Sequence, residues 1–340
     1  MSQRTTIPRA ELHTHLGAAV DPVIMWTIAH RQGIRLPVKD YWDFEDMITM
    51  TEESKNRNLG DMDKRYYHLT ELIQSSPEAM EEAVHSVIGG GYRKCNLVLQ
   101  ELRFSPMKRN RTGERDLDFI ILAALWGMRR AMVEYPQVSA GLLIALDRSF
   151  TPAQNAITVD KAIRYKSDGI VGIDLAGPDR KSFSMKEHAP LFVRARKARL
   201  GLTIHAGETG NIEELRYVVR HIRPERIGHG LAAAKDTALM KEMVKQGIVL
   251  ELCPTSNLRN SVVKDVNELR SIVRTFLDNG VKLTINTDGP EMYRTSVIKE
   301  EEFLLAEGLM TEKEVKACQA HAFKAAFIST HSEHSGRKTK

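Results

Sequence analysis

The sequence predicts an α/β fold, a (β/α)8 TIM barrel with extra helices over the C-terminal rim and after the last strand. Three observations carry that prediction. Short apolar runs alternate with helical patterns along nearly the whole chain, and such alternation implies parallel strands joined by crossover helices. The runs number eight, the count that closes a barrel with its chemistry at the C-terminal ends of the strands. Four of them end on side chains of metal-ligand type: Glu11-Leu12-His13-Thr14-His15, Ile204-His205-Ala206-Gly207-Glu208, Arg226-Ile227-Gly228-His229-Gly230 and Leu283-Thr284-Ile285-Asn286-Thr287-Asp288.

The first strand is expected over residues 9 to 15, where the i, i+2 spacing of His13 and His15 puts both imidazoles on one face. A helix follows from Asp21 to Gly33, with Asp21 as cap and Pro22 in the first turn. Residues 38 to 70 are rich in Met, aromatics and charge at irregular spacing. They fit either short helices over a pocket mouth or a surface excursion. A helix from Pro77 to Gly89 is expected to end at Gly89-Gly90-Gly91, before a strand from Leu97 to Phe104. Glu101 and Arg103 lie on one face of that strand, an alternation suited to locking a barrel interior. Helix 117 to 134, strand 139 to 146, a helix from Thr151, strand 169 to 175 and helix 186 to 197 come next.

The fifth strand, Leu200 to Ile204, is the pivot. It ends in a histidine, and Gly207 lets the chain turn and bring Glu208 back toward the same spot. Beyond it come helix 213 to 220, strand 226 to 228, helix 235 to 245, strand 248 to 252, helix 267 to 278 and strand 281 to 285. Two further helices close the chain, the last opened by a capping box of Thr311 and Glu314. Residues 7–330 are expected to form one barrel domain, and the polar, basic stretch 331–340 a disordered tail.

Composition narrows the function. Hydrophobic content of 42% and charge of 27% are ordinary for a globular protein, and no apolar run approaches the roughly 18 residues of a membrane span. The first residues lack the apolar core of a signal peptide, so the expected compartment is cytoplasmic. Cys95, Cys253 and Cys318 are odd in number and widely spaced, which predicts reduced thiols and no cysteine-based structural zinc. The net charge of +5 is spread along the chain, with no aromatic-interleaved basic patch. No nucleic-acid partner and no membrane are therefore expected. Oligomeric state is not legible.

His13, His15, His205 and Asp288 supply three neutral nitrogens and one anion at strand tips. Such a donor set suits a catalytic zinc with a position left open for water. In this setting the sequence resembles the adenosine/adenine deaminase family of zinc-dependent purine deaminases, within the amidohydrolase barrels. The matching stretches are Ala10 to Leu16, Glu101 to Pro106, Gly172 to Gly177, His205 to Glu208, Arg226 to Gly230, Leu252 to Asn257 and Asn286 to Asp288, in the family's order over nearly the whole chain. The resemblance implies hydrolytic deamination of a 6-aminopurine nucleoside, adenosine by default, with one Zn2+ per chain and a small-molecule purine substrate. It assigns His13, His15, His205 and Asp288 to the metal. It makes Glu208 the proton donor to ring N1, and His229 the residue that orients and partly deprotonates the zinc-bound water attacking C6. On the substrate side the implicated positions are His15, Gly177, Gly17 and Gly289, with the Gly177 backbone meeting purine N3. Arg103 and Asp174 are expected to tie the barrel interior together, and Ser256 and Asn257 to fix a turn.

Two positions depart from the family. Where it usually carries an acid for the ribose 5′-hydroxyl, Gly17 stands, and where it usually carries a second aspartate for N7, Gly289 stands. Both losses predict vacant volume beside the substrate, room for a modified 5′ position, and a gain in adenosine turnover on Gly289→Asp. The competing functions are deamination of adenine or of a 5′-modified adenine nucleoside, and a catalytically silent zinc-binding barrel. A two-metal hydrolase would want a bridging lysine or glutamate after the fourth strand, where Asp174-Leu175-Ala176 stands instead.

Overall fold

A computed structural model describes residues 6–51, 54 and 58–328. The predicted tail over 331–340 and part of the stretch 38–70 lie outside them. Eight parallel strands run in sheet order from first to last: β1 (Arg9–His15), β2 (Leu97–Phe104), β3 (Ser139–Asp147), β4 (Ile170–Ala176), β5 (Gly201–Ala206), β6 (Arg226–His229), β7 (Val249–Leu252) and β8 (Lys282–Ile285). The ring is closed by the segment after β8, where Asp288 N donates to His13 O at 2.9 Å and His15 N donates to Asp288 O at 2.8 Å. This is the predicted (β/α)8 barrel. Strand placement agrees with the sequence within a residue or two because buried parallel strands read as unbroken apolar runs.

The helices lie outside the ring and fill the space against it with Met, Leu, Ile and Phe. One helix departs from expectation. Pro77–Cys95 runs straight through Gly89, Gly90 and Gly91 and stops at Asn96, whose left-handed backbone (φ 53°) forms the cap. Glycine is tolerated there because its neighbours crowd the helix: a Cβ on Gly89 would lie 2.7 Å from the Tyr135 ring, and one on Gly91 2.6 Å from Gln100 Oε1. Packing therefore overrides the roughly 1 kcal/mol that each interior glycine costs.

The last helix, Glu312–Ala325, packs against β8 and β1, and Phe327 just after it lies against the N-terminal ends of the strands. Phe327 stacks under the Arg226 guanidinium at 3.7 Å, and its ring occupies the space a side chain on Gly201 would need. The interior above is charged. Arg103 donates to Asp174 at 3.0 Å and to Glu251 at 3.0 Å, and Arg226 donates to Glu251 at 2.6 Å and to Glu101 at 2.5 Å. These groups are fully buried, so only mutual pairing makes the charges tolerable. Among the described residues no helix is long and apolar enough to cross a membrane.

Candidate active site

Above this charged layer, at the C-terminal rim, β1 carries His13 and His15, β5 carries His205 one residue before its end, and the segment after β8 presents Asp288. One ligand atom from each lies within 4.8 Å of every other. His15 Nε2 is 3.1 Å from His205 Nε2 and 3.3 Å from Asp288 Oδ1, and His13 Nε2 is 3.6 Å from the same oxygen. The other ring nitrogens are held from below: His13 Nδ1 donates to Glu251 at 2.6 Å, and His205 Nδ1 donates to Asp174 at 3.1 Å. A carboxylate on Nδ1 fixes the tautomer that leaves the Nε2 lone pair free for a metal.

A metal ion fits the cluster. His13 Nε2 is buried without a hydrogen-bond partner, an expensive state for a nitrogen unless something fills it. Three imidazole nitrogens with one carboxylate suit a hard or borderline divalent ion. Burial opposes charge on Asp288, yet the neighbouring histidines, His13 first among them, hold its carboxyl well below the usual range. Burial keeps His15 and His229 neutral, their pKa well below the ordinary histidine value. Neutral nitrogens are what ligation requires.

Glu208 follows the tight turn at Gly207 (φ 66°), where a side chain would strike Leu215. Burial pushes its pKa up to about 8, against the opposing pull of His205. Its Oε1 lies 3.6 Å from His229 Nε2. His229 sits at the end of β6 in a left-handed backbone conformation (φ 59°), as does Asp288 (φ 65°). Non-glycine residues held there cost of order 1–3 kcal/mol each, and such strain clusters at functional sites.

Ser256 and Asn257 are the residues that sequence reasoning placed too far from the chemistry. Rather than a turn, they lie on a short helix, Pro254–Arg259. Ser256 Oγ donates to Asp288 Oδ2 at 2.5 Å, and the Asn257 amide sits 2.9 Å from His229 Nδ1. The signal was present in Cys253-Pro254-Thr255-Ser256, because proline favours the first turn of a helix as well as a turn.

The pocket over the cluster encloses roughly 670 Å3 including its mouth, and Leu59, Met62, Asp63 and Tyr67 line it from the stretch 38–70, for which the sequence left a pocket cover and a surface excursion both open. Gly177 reaches it with φ 91°, and a Cβ there would lie 2.7 Å from the Asp147 carboxylate. The expected vacancy at the two departing glycines is absent. A Cβ on Gly17 would lie 2.9 Å from the Tyr67 ring, and one on Gly289 2.4 Å from Ala18 Cβ. Gly17 lines the pocket while Gly289 does not. Tyr67 and Ala18 take up the volume that side chains at these positions would need, as close packing demands.

The adenosine deaminase family profile matches residues 8–335. An adenosine deaminase from Shewanella denitrificans is 30% identical over 328 residues, 95% of each chain. Two solved structures share the fold: an amidohydrolase from Burkholderia ambifaria with bound Zn (TM-score 0.83, 19% identity, 95% of this chain and 86% of that one), and an adenine deaminase from Arthrobacter aurescens (TM-score 0.83, 22% identity, 95% and 94%). With a family match across nearly its whole length, a rim cluster of metal-ligand side chains and a buried acid beside it, this chain belongs to the adenosine deaminase family and is a hydrolytic deaminase.

Proposed function

We propose that the protein deaminates a 6-aminopurine nucleoside, adenosine by default, to the 6-oxopurine and ammonia. The observation that carries this reading is the buried Glu208 carboxyl, raised to about 8, lining the same pocket as His15, His205 and Asp288. An aromatic C6 resists water until the ring is made electron-poor, and a proton delivered to N1 does that. A carboxyl still protonated at neutral pH is the group for the task.

His13, His15, His205 and Asp288 would hold one zinc ion, which when bound supplies a Lewis acid that makes water nucleophilic near neutrality. The bound Zn of the Burkholderia ambifaria amidohydrolase supports that choice. His229, neutral and oriented by Asn257, is the acceptor for the proton that the attacking water gives up. Water adds to C6 and the C6–N bond breaks once the amine takes a proton, so ammonia leaves and the carbonyl remains. Gly177 offers its backbone to N3, where only a glycine clears Asp147. The test is ammonia release from a panel of aminopurines and their nucleosides, using protein whose zinc content has been measured. Adenosine should be turned over. Absence of ammonia from every member at full zinc occupancy would overturn the reading.

A further inference from the structure

One wall of the pocket carries polar groups that the deamination steps leave unused. Asp147, at the end of β3, packs its carboxylate against Gly177. Its Oδ1 accepts from Ser149 N at 2.7 Å and Ser149 Oγ at 2.5 Å, and its Oδ2 pairs with Lys108 Nζ at 3.0 Å. A carboxylate has about four acceptor positions, so one stays open on the pocket side. Lys108 spends a second hydrogen on Asp63 Oδ1 at 3.0 Å, which leaves a third. Ser105 Oγ, buried and lining the same pocket, has no partner. Arg109 gives its hydrogens to Gln74, Glu71 and Ser105 O and keeps one on Nη2, 3.5 Å from where a Gly17 side chain would begin.

These open positions are an acceptor on Asp147, donors on Lys108 and Arg109, and the Ser105 hydroxyl, which can donate or accept, the mixed pattern that sugar hydroxyls satisfy. Their location agrees. N3 of a purine adjoins the ring carbon bonded to N9, so a group packed on Gly177 faces the sugar edge of a base seated there. The charges on this wall are Asp63, Glu71 and Asp147 against Lys108 and Arg109. Three carboxylates against two cations leave this wall one negative charge in excess. A 5′-phosphate, with about −1.5 to −2 charges, meets no surplus of positive charge here.

We propose that Asp147, backed by Lys108 and Ser105, is the sugar-recognition group of this pocket, standing in for the acid absent at Gly17 and selecting an uncharged nucleoside over both a free base and a 5′-phosphorylated nucleotide. The inference rests on the purine reading above. A hydrogen bond to a charged partner is worth about ten- to a hundredfold in affinity.

The experiment is calorimetric titration of the zinc-loaded protein with inosine, hypoxanthine and inosine 5′-monophosphate, for the parent, Asp147→Asn and Ser105→Ala, alongside ammonia release from adenosine. Inosine should bind the parent at least tenfold more tightly than hypoxanthine and more tightly than the monophosphate. Asp147→Asn should lose most of the inosine advantage while its affinity for hypoxanthine changes little. Ser105→Ala, which breaks no existing bond, should lose part of it. Equal loss on inosine and hypoxanthine would make Asp147 structural and overturn the proposal, as would tighter binding of the monophosphate by the parent. If Asp147→Asn fails to fold, the parent's ligand order and Ser105→Ala decide alone. A parent that deaminates adenosine without these differences sinks only the role of Asp147, whereas one that neither deaminates any aminopurine nor binds inosine or hypoxanthine sinks both readings.

Discussion

The floor of the pocket and its side wall are built on different terms. On the floor each histidine sits at a strand tip or on the strand, and carboxylates beneath His13 and His205 hold those two rings, with Arg103 and Arg226 locking the carboxylates in turn. The register of neighbouring strands sets such positions. The wall comes from the segments after β1 and β2, from the ends of β3 and β4 and from the cover at 58–67, and at Gly17, on this wall, and at Gly289, behind it, where the resemblance led us to expect acids, Tyr67 and Ala18 fill the space beside the glycines. The lesson is that the barrel holds the reaction and the loops hold the specificity. The floor should be intolerant of every change, and the wall should yield changes that alter substrate choice or packing without touching the metal.

The largest effect is expected from Asp288→Ala, which removes the only anion among the four proposed ligands. Metal content and activity should fall together, and elemental analysis beside turnover checks it. Full zinc at full rate would remove Asp288 from the ligand set. Glu208→Gln should separate the two quantities, keeping metal and fold while lowering turnover by about 10²–10⁴-fold, the usual worth of general acid catalysis.

Glu251→Gln tests the layer beneath. Burial opposes charge on Glu251, but Arg103 and Arg226 hold its carboxyl well below the usual range. The amide would take one of the two carboxylates from each guanidinium and, with one acceptor oxygen in place of two, set an N–H against either His13 and Arg103 or Arg226. Expected are a loss of about 3–5 kcal/mol in stability and of about 10–100-fold in metal affinity, measured by urea unfolding and chelator competition. Stability within about 0.5 kcal/mol of the parent would contradict the reading of a locked floor.

Most of the floor was legible in the sequence, and the wall was not. Strand-end histidines announce themselves because an apolar run stopping at a ligand-type side chain is a local pattern, as at Ile204-His205. Glu101 and Arg103 were legible as interior charges by their alternation, though not the pairing of Glu251 with His13, which joins β7 to β1, six strands apart along the chain and two apart around the closed ring. A missing acid reads in sequence as empty space. Whether the space is empty depends on Tyr67 and Ala18, and no local pattern ties those residues to Gly17 and Gly289. The helix through Gly89-Gly90-Gly91 was missed for the same reason, since Tyr135 and Gln100 favour glycine only once the helices have packed.

Glu300 sharpens the comparison on the floor side. It is fully buried behind the helix that carries Ser256 and Asn257, accepting from Thr255 N at 3.1 Å and from Thr295 Oγ1 at 2.7 Å. Burial raises its pKa from 4.5 to about 7, against those two bonds. Because the folded value exceeds the unfolded one, the contribution to stability is complete below about 4.5 and is lost as pH rises through about 7. Glu300→Gln keeps an acceptor for Thr255 N and cannot ionise. The parent should lose up to about 3 kcal/mol across that window relative to the variant, read from chemical unfolding at pH 5 and pH 8. Parallel curves would show that Glu300 is already charged in the folded state.

The smallest expected effect lies on the wall and decides whether its glycines are gaps or packed positions. If Gly289 marked a gap, Gly289→Asp would restore a family contact and raise kcat/KM for adenosine. A Cβ there would instead lie 2.4 Å from Ala18 Cβ, 3.3 Å from Ala18 O and 3.3 Å from the Tyr293 ring. A methyl against a methyl at that distance must move, and Ala18 O cannot move freely, because it accepts from Met292 N at 3.0 Å and Glu291 N at 3.1 Å. Overpacking of this kind costs about 1–3 kcal/mol. Gly289→Asp should therefore lower the melting temperature with no gain in kcat/KM for adenosine. Ala18→Gly in the same chain removes the methyl that is struck and should recover much of the loss, a coupling that independent sites would not show. A stable Gly289→Asp single variant with improved adenosine turnover would return Gly289 to the substrate side and erase the difference between a packed wall and an open one.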